Sequence, residues 1–140
     1  MPSGTVEFAV LDTSVYIENF RTGRFTERIA RSGFLFRGVT VVIHELLRGA
    51  RTPEERQYAL DLAGNLRLYS PTEGIWLESG DLVARIALKK GYERRKIQEL
   101  SLDVLIGLTA RANGAALITV NRDDFEDLRE FRRFRLVCWD

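Results

Sequence analysis

Residues 101–125, SLDVLIGLTARANGAALITVNRDDF, decide the fold. Ser101 opens a helix that runs to Asn113-Gly114, a pair suited to a helix exit. Ala116 to Val120 is then an apolar run without helical period, which is how a short buried strand reads. Asn121, Asp123 and Asp124 follow it directly. A helix that hands over to a buried strand ending in polar residues is the repeating unit of a parallel α/β sheet, where ligands bind at the carboxyl ends of strands. Starting the helix at Ser101 places Asp103 in its first turn, where the peptide dipole favours negative charge. Gly107, Ala110 and Gly114 recur behind it at helical spacing and leave one side of the helix low, open to close approach by another backbone or a substrate.

Working outward, the rest of the chain repeats this alternation. Val6–Leu11 reads as a buried strand, and Asp12-Thr13-Ser14 supplies cap chemistry for a helix through Val15, Tyr16 and Ile17. A short helix over Thr26–Arg31 ends at Gly33, and Phe34–Thr40 is a strand. Val41–Leu47 is rich in β-branched residues, but Gly49 and Pro53 close it, and a helix carrying Glu45 is the expectation. Pro53 begins another helix, stopped by Gly64. Leu66–Tyr69 is a strand, Glu73–Lys90 a long amphipathic helix ended by Gly91, and Phe134–Trp139 a last strand. With no repeat, low-complexity segment or linker, residues 1–140 are expected to form one domain: an α/β sandwich of three layers, with a central, mostly parallel sheet between helices.

The hydrophobic content of 45% is enough to fill one core in 140 residues. No apolar run nears the ~20 residues needed to span a bilayer, so no membrane association is expected. MPSGTVEFAV has no charged leader ahead of a long apolar stretch, so no signal peptide is expected. The one cysteine, Cys138, excludes an internal disulfide framework and fits a cytoplasmic protein; it is expected to be a small buried residue of the last strand. Net charge is +1, from 21 basic and 20 acidic residues, which does not by itself argue for nucleic acid. The distribution says more. Arg85, Lys89, Lys90, Arg94, Arg95 and Lys96 crowd one stretch against Glu93 alone. A basic rim around acids would suit a polyanion held over a metal.

Those acids are Asp12 in AVLDTSVYI, Glu45 in VTVVIHELLRGA and Asp103 in SLDVLIGLTA, each set among apolar or small residues. Such carboxylates are costly to desolvate unless they pair, hydrogen-bond or hold a cation. Several of them converging without a matching Lys or His nearby in sequence would make a site for a hard cation, Mg2+ or Mn2+, of the kind used in phosphodiester chemistry. Each also has an ordinary role open to it: Asp12 as a helix cap, Glu45 as a surface residue, Asp103 as a first-turn acid, and Asp123 and Asp124 as a polar turn. His44 is the only histidine, and neighbouring helical residues point about 100° apart, so it should face away from Glu45. A histidine zinc site, a histidine acid–base pair and a cysteine–histidine nucleophile are excluded, and no glycine-rich phosphate loop is present.

The succession LDTSVYIE, then ELLRG, then LDVLIGLTARANGAALITVNRDDFEDL resembles PIN-domain ribonucleases, and among them the VapC-type toxins of toxin–antitoxin pairs. The resemblance covers essentially the whole chain. Its most specific block is an acid opening a helix, then A-x-x-x-G-A-A-x-x-T and T-x-N-x-x-D-F. It implies that Asp12 and Asp103 bind Mg2+ or Mn2+ directly, with Glu45 and either Asn121 or Asp124 helping through waters or a second ion. The fourth position departs from the pattern, because Asn121 stands where an acid is frequent; Asn121 and Asp124 share that role, with Asp123 as a substitute. Thr13 and Thr119 match hydroxyls that orient the acids. Arg94, Arg95, Lys96 and Arg85 would grip the RNA backbone. The resemblance also implies a cognate VapB-type antitoxin and homodimerisation, for which Tyr16, Phe20, Phe25, Phe34, Phe36 and Trp76 are candidate apolar contacts.

Two other classes compete. A phosphotransfer or phosphatase domain with Asp12 as nucleophile would want a second acid two residues on, where Ser14 stands, or paired acids and a late lysine, and neither is present. A PIN-like fold without nuclease activity, binding RNA or protein, is the alternative that Asn121 supports.

Overall fold

Short apolar strands and amphipathic helices alternate along the chain in the computed structural model, which describes residues 6–140; what was read from residues 1–5 lies outside them. In chain order they are β1 (Phe8–Leu11), α1 (Thr13–Thr22), α2 (Thr26–Arg31), β2 (Leu35–Val39), α3 (Thr40–Gly49) and α4 (Pro53–Asn65). Then come β3 (Leu68–Tyr69), α5 (Glu73–Lys90), α6 (Arg94–Ala112), β4 (Ala116–Thr119), α7 (Asp123–Arg129) and β5 (Leu136–Cys138). The five strands form one sheet in the order β3-β2-β1-β4-β5. All four pairings are parallel, so the sheet is wholly rather than mostly parallel. The α/β sandwich is as expected: among the described residues, seven helices flank the sheet.

Burial explains the strand compositions. Ala9, Val10, Leu117 and Ile118 in the two central strands are buried, as in a sheet covered on both faces. They join a core with Val15, Phe25, Leu82, Ile86, Val104, Leu108, Phe125 and Leu128. The strand order reverses between β1 and β4, which lie side by side in the middle. A crevice opens at the carboxyl ends of the strands at such a switch point. Asp12 follows β1 at once, and its backbone N–H donates to the Ile118 carbonyl at 2.9 Å, tying it to β4.

Several boundaries differ from the sequence reading. The α6 helix starts at Arg94 and not at Ser101, so Asp103 sits in mid-helix and the dipole of a first turn does not act on it. Ser101 lacks a cap's role because its hydroxyl donates back to the Ile97 carbonyl inside the helix, at 2.8 Å. Gly64 does not stop α4, which runs on to Asn65; its surroundings are open and its backbone stays helical. Trp76 and Phe20 are exposed, Tyr16 and Phe25 are buried, and Phe34, Phe36 and Cys138 are half-buried. Val41–Leu47 is helical as expected. No helix among the described residues is long and apolar enough to cross a membrane.

Candidate active site

Asp12 is the N-cap of α1: its carboxylate accepts from the Ser14 backbone N–H. Only 5% of the residue is exposed. Burial raises the pKa of its carboxyl, while the hydroxyls of Thr119 and Ser14 and the Ser14 N–H pull it down; the charge of Asp124 pushes it up again. Thr119 is itself fully buried at the end of β4 and accepts from the Asn121 N–H at 2.9 Å. The Ser14 and Thr119 hydroxyls lie 3.5 Å apart. The two central strands therefore present one hydroxyl-lined carboxylate at their shared end.

Glu45 comes to this place from α3. Thr13 Oγ1 donates to Glu45 Oε1 at 2.7 Å, so the residue after Asp12 orients the second acid. Burial raises the pKa of Glu45; Thr13, Arg48 and His44 lower it, and Asp12 raises it. Asp103 comes from α6 and is pushed up to about 8, first by burial and then by the charges of Asp124, Asp12 and Glu45; Lys96 opposes them. Asp124, in the first turn of α7, is raised by burial and by Glu99 and Asp123, and lowered by Lys96. Four carboxylates from four parts of the chain thus act on one another's charge.

Glu45, Arg48, Arg95, Gln98, Glu99, Leu102, Asp103 and Asp124 line a cleft of about 480 Å³. Asp124 lines it, whereas Asn121 and Asp123 are exposed and do not. Of the cations suggested by sequence, Arg95 lines the cleft, Lys96 acts on Asp103 and Asp124, and Arg94 is exposed. Arg85 does not reach it: it pairs with Asp81 at 3.6 Å and stacks over Phe131. His44 is exposed and lines a separate cavity with Trp76 and Pro71. Sequence reasoning missed Ser14, Arg48 and Glu99. Arg48 was findable, since it follows Glu45 at the spacing that keeps helical side chains on one face.

Among the described residues no three His, Cys, Asp or Glu side chains form a ready-made metal cage. The donor chemistry nonetheless suits a hard cation: oxygen donors only, partly desolvated and mutually repelling, which a divalent ion would relieve. Mg2+ is commonly held by one or two carboxylates with waters completing its shell, so an open cleft with spaced acids fits it better than a closed cage would.

The PIN domain family model matches residues 9–130 of the chain. VapBC-1 of nontypeable Haemophilus influenzae is similar in structure, with a TM-score of 0.67 at 22% identity over 94% of this chain and 98% of that one. VapBC2 of Rickettsia felis, solved with a DNA fragment from its promoter, has a TM-score of 0.66 at 21% identity, over 95% of this chain and 99% of that one. The DNA-bound VapBC of Salmonella typhimurium has a TM-score of 0.61 at 18% identity, over 97% and 100% of the two chains. No curated protein matches the chain.

Proposed function

The chain belongs to the PIN domain family, and from that membership we propose that it is a metal-dependent endoribonuclease, the toxin of a VapBC-type toxin–antitoxin module. The observation that carries this is the cleft at the strand-order switch, where Asp103 and Asp124 meet Glu45 in front of the buried Asp12. In this reading Asp12 and Asp103 hold Mg2+ or Mn2+, and Glu45 and Asp124 steady it through waters. Asp124 takes the fourth position and Asn121 shapes the turn, its carbonyl accepting from the Asp124 N–H at 3.1 Å. When bound, the ion would lower the pKa of a water and neutralise charge on the scissile phosphate.

The chain's own residues do the rest. Thr13 fixes the rotamer of Glu45, and Ser14 and Thr119 fix Asp12. Asp103 carries its proton near neutral pH until a cation takes its place, because burial and three nearby acids oppose its charge. Arg95 and neighbouring cations hold the RNA by its phosphates, contacts that position a strand and read no sequence. A VapB-type antitoxin is the proposed partner, a homodimer the proposed assembly and the cytoplasm the place of action; the first two are checked by co-purification with the product of the adjacent reading frame and by light scattering.

The deciding experiment is Mg2+-dependent cleavage of single-stranded RNA by the wild type and by Asp103→Asn. Cleavage by the wild type and its loss in the variant is expected. Equal activity in both, or none in either at high concentration, would end the nuclease reading; RNA binding without cleavage would favour a non-catalytic module.

A further inference from the structure

Two arginines line the acid cleft from two different helices. Arg48 lies on α3, three residues past Glu45, about 4.5 Å along the axis and on the same face. Arg95 lies in the first turn of α6, eight residues and about 12 Å ahead of Asp103. Glu45 and Asp103 thus sit inside the cleft with one guanidinium close by on the α3 wall and another further along the α6 wall.

Neither arginine is held in an ion pair among the described residues, although the charge of Arg48 acts on Glu45. Among the described residues neither has a carboxylate within 4.0 Å, although nine other Arg and Lys side chains do. Glu99, one turn from Arg95 in the same lining, stays outside that distance, and Glu45 stays outside it from Arg48. Lys96 differs: its ammonium lies 5.6 Å from the Tyr92 ring centre. A free guanidinium at a cleft wall offers a planar fork that matches phosphate oxygens.

We propose that Arg48 and Arg95 form a two-walled phosphate clamp, Arg48 taking the phosphate beside the acids and Arg95 one further along the same strand. The proposal rests on the ribonuclease reading and adds to it a binding residue, Arg48, on a second helix that lines the cleft. The clamp sets which phosphate faces Asp103, because the strand is held on both sides of the acids.

The test is binding of a short fluorescein-labelled single-stranded RNA, by anisotropy, across a range of salt concentrations. It uses the full chain in an Asp103→Asn background so that the probe stays intact. Each phosphate contact contributes about 0.7 to the slope of log affinity against log salt for a single strand. Arg48→Ala and Arg95→Ala should each reduce the slope by about 0.7, and the double variant by about twice that. Arg48→Lys should keep the slope while losing affinity, and Arg67→Ala, outside the cleft, should behave as the parent. In the otherwise wild-type enzyme, Arg48→Ala should raise KM well before it lowers kcat. An unchanged slope in folded Arg48→Ala overturns the clamp. If that happens while the wild type still cleaves RNA with Mg2+, only the clamp fails; if the wild type neither binds nor cleaves RNA, both readings fail.

Discussion

Asp12 follows β1, caps α1 and acts through its charge on the cleft acid Asp103, and the residues after it are arranged around that triple duty. Ser14 satisfies one carboxylate oxygen and Thr13 turns to Glu45, so three consecutive residues set two acids that lie 33 positions apart in the chain. Residues that orient a metal's ligands are commonly worth 10–100-fold in metal affinity or activity. Thr13→Val should therefore cut Mg2+-dependent cleavage by roughly 10–100-fold with little change in melting temperature, and Thr13→Ser should restore most of it; equal rates in Thr13→Val and wild type would remove Thr13 from the site. The acids also predict a pH dependence. The Asp103 carboxyl holds its proton more tightly in the folded chain, to about 8, than the ordinary 3.8, and Asp12, Glu45 and Asp124 shift the same way. Their stabilising protons are all in place below the ordinary carboxylate range and are lost as pH rises through the folded values. In chelator, the melting temperature should fall between about pH 5 and about pH 9, and Asp103→Asn should flatten that fall. A melting temperature that climbs over this range would contradict the assignment.

At the scale of elements, α7 is the piece that completes the cleft, and it is a short helix without a side-chain cap. Its position depends on what it touches. Phe125 and Leu128 are buried beneath it, and a Cβ built on Gly107 of α6 would come within 2.5 Å of the Leu128 side chain. At Gly107 the low face behind Asp103 is thus filled by the Leu128 side chain of α7, whereas at Gly114 it stays open. On the outer side, the Tyr92 hydroxyl donates to Asp127, and Lys90 pairs with Asp127 at 3.5 Å and Glu130 at 2.9 Å. These surface pairs contribute little stability each, but they tie the α5–α6 junction to the helix that carries Asp124. Gly107→Val should destabilise the fold by roughly 1–3 kcal/mol through overpacking and push α7 away from α6. Denaturant unfolding together with the RNA cleavage rate checks this: both should fall, and a variant as stable and active as wild type would show that α7 tolerates the displacement.

On the scale of the whole molecule, the sheet order brings β1 and β4 together although more than 100 residues separate them. That pairing sets Asp12 beside Thr119 and leaves α3, α6 and α7 to close over the strand ends. Because like charges are gathered there without enough cations to balance them, binding of a divalent ion should stabilise the whole fold. A ligand at a hundred times its dissociation constant adds about 2.7 kcal/mol. Mn2+ or Mg2+ should thus raise the melting temperature by several degrees in the wild type and much less in Asp103→Asn, as scanning calorimetry would read; equal shifts in both would place the ion elsewhere.

The alternation of strands and helices and the helical nature of the Glu45 segment were determined by local sequence: turn residues, capping chemistry and apolar period act over a few positions. Asp103 is not a first-turn acid, because α6 already begins at Arg94 and packs along α5, so that Ser101, expected to open the helix, lies inside it. Only the tertiary structure decided that Asp124 and not Asn121 lines the cleft, that Arg85 pairs with Asp81, and that Arg48 and Arg95 line the same cleft. Each of those outcomes depends on which helix packs against which strand, a matter of long-range burial that no window of neighbouring residues contains.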